Sequence, residues 1–187
     1  MLGILVASAV LLPSILWAGT VTAMANIHFS GSSTLHDFEG TATSRSFSAR
    51  FSEDKETGTL MVSANASLNV QEMTTDNKKR DKNMFKMFDL DHFRLITGEL
   101  GETELALDGS TPAQLHLKIR NVAKNVAATI SDVQHNGNEI SCRMKFPVSL
   151  KAFDLKGPSV MGLIHVDDTV YVECTIKGQI GETVAGN

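Results

Sequence analysis

From Thr59 onward, apolar and polar residues alternate with a period of two, the pattern of strands that bury one face. Leu60, Val62, Ala64, Ala66, Leu68 and Val70 make one face wholly apolar, and Ser63, Asn65, Ser67 and Asn69 occupy the other. Leu115, Leu117 and Ile119 alternate with His116, Lys118 and Arg120. Ile140, Cys142, Met144, Phe146, Val148 and Leu150 alternate with polar residues such as Arg143 and Lys145, and Pro147 predicts an edge, a bulge or a strand end within that run. Val170, Val172, Cys174 and Ile176 repeat the pattern against Tyr171, Glu173, Thr175 and Lys177. Turn chemistry separates the runs at 55–58, 108–112, 136–138 and 156–159, with Asn136-Gly137 a hairpin signal. Strands joined by short links pair with antiparallel neighbours, and closing such a sheet removes its edges. The expected fold is all-β, an antiparallel barrel of about eight strands.

Two regions are less regular. Toward the amino terminus, Ile27 and Phe29 open one strand, Phe47, Ala49 and Phe51 line another, and 35–40 reads as a bend with Gly40 at its corner. Residues 78–88 lack alternation. Met84, Met87 and Phe88 fall at helical spacing with Phe85 beside them, which predicts a short helix with a charged outer face, and Asp76 is in position to cap it.

Leu2 to Trp17 is mostly apolar and leads to two small-x-small sites ending at Ala23 and Ala25. Residues 1–25 are therefore expected to be a signal peptide cleaved after Ala23 or Ala25, leaving a domain over 26–187 in the periplasm. The run is shorter than the ~20 residues of a spanning helix, and no second such run follows, so no membrane span is expected after cleavage.

Composition narrows the function. The net charge of -4 gives no electrostatic reason to bind nucleic acid. With 9 Phe and 8 Met against one Trp and one Tyr, the interior is greasy and adaptable. The six histidines show no ligand spacing, no nucleophile elbow or phosphate loop is present, and His116 falls on a polar face. His36-Asp37 is the one His-carboxylate neighbour pair of interest, but adjacent strand residues point to opposite faces. A hairpin folded about Gly157-Pro158 sets Cys142 nearly opposite Cys174, both on the apolar face. The pair is expected either to form a disulfide or to remain as buried free thiols.

The segment from Arg80-Asp81 through Phe88-Asp89 to Phe93 resembles a signature of the YceI family. Residues 115–126 are similar to its second signature, and the run from Phe146 through Phe153 to Val172 to its carboxy-terminal pair. This chain departs from the family with Asn83 in place of a frequent His and Phe93 in place of a usual Pro. It also has Leu150-Lys151-Ala152-Phe153-Asp154 where the family has Arg-x-x-Phe-Gly, so the Arg and the Gly are missing. The resemblance implies an extended lipocalin-like barrel with the helix at its mouth, holding a polyisoprenoid such as an isoprenoid quinone precursor in the bacterial periplasm. No catalytic residues, metal or other cofactor are implied.

The expected partner is thus an apolar lipid, polyisoprenoid or fatty, bound by a monomer or homodimer. Its candidate lining is Leu60, Val62, Met84, Phe85, Met87, Phe88, Leu117, Met144, Phe146 and Val172. The competing expectations are a solid-cored structural or interaction module, a metal-dependent enzyme using His36, and an outer-membrane barrel. The charged outward positions Arg143, Lys145, Glu173 and Lys177 oppose the last of these.

Overall fold

A computed structural model describes residues 16–34, 36–54, 59–157 and 165–181. Within them the alternating runs become β1 (Leu16–Ser33), β2 (Phe38–Thr43), β3 (Phe47–Asp54), β4 (Thr59–Asn69), β5 (Leu95–Leu105), β6 (Ser110–Ile119), β7 (Val122–Asn136), β8 (Glu139–Ser149) and β9 (Val166–Ile180). From β3 to β9 each strand pairs with the next in sequence, and β9 returns to β1 along Val21↔Ile180 to Ser33↔Val166. β1 meets β3 through Leu16–Ala23 and β2 through Asn26–Gly31, so β2 and β3 are two pieces of one broken strand. The sheet is a closed antiparallel barrel with eight strand positions, as the alternation predicts.

Ser44 fills the break between β2 and β3. Its N–H donates to the Ala25 carbonyl at 2.9 Å, and its hydroxyl accepts from the Ala25 N–H at 2.9 Å and donates to the Arg45 carbonyl at 2.9 Å. A buried break in a ladder needs such substitutes for its lost partners. β7 carries a second irregularity. Asp132, at φ 54, sits in a register shift between Ser131 and Gln134. The buried positions move there from Ala128 and Ile130 to Val133, so the strand keeps its apolar face inward across the bulge. Both strand prolines lie where pairing has stopped on one side, Pro112 beyond the β5–β6 ladder and Pro147 beyond the β7–β8 ladder. The edge predicted at Pro147 is therefore present.

The 136–138 turn is a two-residue link with Gly137 at φ 61, as its chemistry requires. Residues 55–58 and 158–159 lie outside the described residues, as does most of the apolar leader run. Gly40 is within β2 rather than at a corner. The Phe29 ring and the Thr74 carbonyl occupy the space its Cβ would need, so close approach explains the glycine. On the outer face Arg143 bridges Asp132 and Glu173, both at 3.1 Å, and Lys145 reaches Glu173 at 3.0 Å. The apolar side is the inside, the reverse of a membrane barrel.

The predicted helix is α1 (Lys78–Phe88), a segment free of β-branched residues. Its cap is Asn77 rather than Asp76: the Asn77 side chain accepts from the backbone N–H groups of Lys79 and Arg80, both at 3.1 Å. Asp76 is at φ 56 in the preceding turn. Asp89, left-handed at φ 53, ends the helix. β4 runs in the same direction as β1, so α1 caps the end where β1 turns into β2 and where β8 connects to β9. Asp81 ties the helix down. Its carboxylate accepts from the Thr75 N–H at 2.8 Å, the Thr75 hydroxyl at 2.5 Å and the Thr74 hydroxyl at 3.1 Å. Thr74 in turn bridges to Thr41 of β2.

Burial alone would raise the Asp81 pKa; the Thr75 and Thr74 hydrogen bonds, with Arg80 alongside, outweigh it and hold the pKa below its ordinary value of 3.8. Stability from a depressed carboxylate is present above the unfolded pKa and is lost as pH falls through the folded one. Asp81→Asn is expected to cost about 1–2 kcal/mol at pH 7, measured by urea unfolding. Its gap from the unsubstituted protein should begin to narrow as pH falls below the ordinary value of 3.8 and close as pH passes the lower folded pKa.

Candidate functional site

The inward faces do not fill the barrel. They enclose a cavity of about 500 Å³, to which all nine strand segments and α1 contribute. That is inside the roughly 300–1,000 Å³ range of small-molecule sites. The room comes from small residues on adjacent strands. Ala49 of β3 lies opposite Ala64 of β4, Ala66 of β4 opposite Gly98 of β5, and Ala23 and Ala25 continue the wall on β1. Large side chains form the facing wall, with Leu115, Leu117, Met144, Phe146 and Val172 among them.

Of the residues expected to line the interior, Val62, Met84, Met87, Phe88, Leu117, Met144, Phe146 and Val172 do so. Leu60 and Phe85 do not. Leu60 is buried in ordinary packing opposite Leu105, and Phe85 is turned about 100° around the helix from Met84. Sequence reasoning missed the β1 contribution, because the small-residue sites at Ala23 and Ala25 placed Val21, Ala23 and Ala25 in the leader. Val21 and Ala23 are each 3% exposed and lie in the cavity wall. The period-two run Val21, Ala23, Ala25, Ile27, Phe29 was the signal that could have found them.

The polar lining gathers at the α1 end. Ser33 comes from the end of β1, His36 from the β1–β2 connection, Thr75 from the segment before the helix, and Lys79, Arg80 and Asn83 from the helix itself. Asn83, one of the departures from the expected signature, is thus a cavity residue. Phe93, another, packs under the Arg120 guanidinium at 5.6 Å from its ring centre. His116 is on the outer face as expected, with Nδ1 2.8 Å from the Asn125 side-chain oxygen. Among the described residues no group of three or more His, Cys, Asp or Glu side chains could hold a metal ion.

Chain comparison agrees with this architecture. The YceI-like domain profile matches residues 20–178. The chain belongs to the YceI family. Among solved structures it is similar to BcnA from Burkholderia cenocepacia, at 17% identity and a TM-score of 0.66 over 82% of this chain and 95% of that one. It is also similar to a polyisoprenoid binding domain from Saccharophagus degradans implicated in plant cell wall breakdown, at 12% identity and a TM-score of 0.57 over 88% and 100%. A mutant YceI protein from Campylobacter jejuni aligns at 15% identity and a TM-score of 0.57 over 77% and 85%. At these identities the likeness is one of fold. No curated protein matches the chain.

Both cysteines point into the family's barrel interior, where they are free thiols. Cys142 pairs with Ile176 and Cys174 with Met144, so the register sets the two thiols on a diagonal instead of nearly opposite each other. Diagonal neighbours are about 7–8 Å apart, beyond the reach of a disulfide without backbone movement. Burial pushes the Cys142 pKa to about 11. It pushes Cys174 to about 12, with smaller contributions from Cys142 and Glu173. Thiols held this far from ionisation should resist iodoacetamide at pH 8 in the folded protein and react fully once it is unfolded. The intact mass should be the same before and after reduction.

Proposed function

We propose that this protein binds a long-chain lipid, a polyisoprenoid or a similar amphiphile, inside its barrel and carries or stores it after export to the periplasm. The observation that carries the reading is the cavity itself: about 500 Å³, walled mostly by apolar side chains, with its charged lining residues on α1. A solid-cored module would have no use for the facing pairs Ala49–Ala64 and Ala66–Gly98, which leave the room. Each buried CH₂ of a ligand contributes about 0.8 kcal/mol, so ten of them contribute on the order of 8 kcal/mol before the costs of association. Affinity of that size needs no catalytic or metal group. Family membership supports the reading, as does the polyisoprenoid-binding relative from Saccharophagus degradans.

Mass spectrometry of an organic extract, from protein purified out of its native compartment, is expected to find a lipid at near-stoichiometric amount. An extract without one would overturn the reading. Ala64→Phe puts a ring into open space between the walls. It should leave the thermal midpoint unchanged or raised while cutting binding of a prenyl ligand at least tenfold. A solid-cored module would instead lose stability through overpacking.

Export is part of the same proposal, with the processing boundary moved. Cleavage after Ala23 would remove every β1 residue that pairs with β3, and with it the buried Val21 and Ala23. Cleavage after Ala25 would take Ala25 as well. A mature chain that retains the closed barrel must begin before Val21. Amino-terminal sequencing of the periplasmic form should find a start at or before Thr20; a start at Met24 or Asn26 would refute this.

A further inference from the structure

We infer that the outer face of α1 docks the barrel on an anionic lipid bilayer, with Lys78, Lys82 and Lys86 set against the phospholipid head groups. The chain as a whole is acidic, with 21 Asp and Glu against 17 Lys and Arg. The eleven residues of α1 run against that balance: Lys78, Lys79, Arg80, Lys82 and Lys86 stand there with a single acid, Asp81.

Helical geometry sorts these groups onto two faces. Lys78, Lys82 and Lys86 follow one another in steps of four with Lys79 beside them, and all four are exposed. Met84 and Phe88 are buried on the opposite side. Asp81 belongs to that inner side, where Thr74 and Thr75 engage its oxygens. Asp89, which ends the helix, is held by His92 at 2.8 Å. The charges on the outer face of α1 are therefore lysines alone. Among the described residues none of these lysines forms an ion pair, whereas Arg143 and Lys145 on the barrel wall are both paired.

Folding gives no reason for this stripe. Lys78 and Lys79 open the helix, where the macrodipole presents its positive end and an acid would be favoured. The pairs Lys78–Lys82 and Lys82–Lys86 set like charges one turn apart, which weakens a helix. A stripe that costs stability and has no partner within the chain fits a partner of opposite charge outside it. The lysines are long and lie in a line, which suits a flat, fluid array of negative charges such as anionic phospholipid head groups. Leu95 begins β5 at the same end of the barrel and is one of the large apolar side chains left exposed, ready to enter the interface beside the lysines. The choice of a bilayer over an acidic protein rests on the lipid-binding reading above, because a lipid enters or leaves such a cavity from a membrane and α1 lies at one end of it.

The test is co-sedimentation of the full protein with large unilamellar vesicles, made either of phosphatidylcholine alone or of phosphatidylcholine mixed with phosphatidylglycerol. At low salt the anionic vesicles should bind about tenfold more tightly or better, and high salt should remove most of the difference. The triple variant Lys78→Gln, Lys82→Gln and Lys86→Gln should bind both kinds of vesicle about equally. None of the three lysines lines the cavity, so the variant should keep its co-purifying lipid. Its thermal midpoint should be unchanged or raised, since two like-charge pairs are gone, and that midpoint reports that it is folded. Equal binding of the unsubstituted protein to the two kinds of vesicle would overturn the inference, as would a preference that survives in the triple variant. Either result would leave lipid binding intact, which the organic extract reports separately.

Discussion

The antiparallel ladder between β1 and β9 closes the barrel, and the remaining features depend on it. An open sheet with one apolar face must cover that face with another layer, whereas a closed one turns it inward and needs no second layer. β1 is the strand on which closure depends, because it binds β9 on one side and both β3 and β2 on the other. That triple duty explains its length, Leu16–Ser33, and the break at Ser44, where β2 and β3 share one edge of a longer partner. It also explains how the small residues at positions 23 and 25 come to form part of the wall.

Closure alone would not make a container. An eight-position barrel is just wide enough for its side chains to fill the interior, so a hollow one requires small residues along part of the wall. Ala23, Ala25, Ala49, Ala64, Ala66 and Gly98 meet that requirement on consecutive strand positions. The same interior governs the cysteines. In this medium a thiolate is unfavourable, and Cys142 and Cys174 act as small apolar side chains.

The helix converts the container into one with a distinct end. Its inner residues Met84 and Phe88 continue the apolar wall, while Lys79, Arg80 and Asn83 bring polarity to the rim. Asp81 connects the two roles. By accepting from Thr74 and Thr75 it secures the helix to the barrel.

The sequence by itself determined the all-β class, the strand runs that became β4, β6, β8 and β9, the inward face of each and the helix over Lys78–Phe88. These follow from local periodicity, a property of neighbouring residues along one strand or helix. Eight of the ten expected lining residues were legible for the same reason, since an inward position in a barrel wall is an inward position whether or not the centre is filled. Only the tertiary structure decided the rest. That the centre is hollow depends on which small residues fall beside one another across strands, as Ala49 does with Ala64. The exclusion of Phe85 and Leu60, and the diagonal offset of Cys142 and Cys174, depend on helix rotation and on a register shifted by two residues. The place of Val21, Ala23 and Ala25 in the wall depends on pairing with strands far along the chain. Cross-strand register is a long-range property, and period-two alternation fixes it only to within steps of two residues.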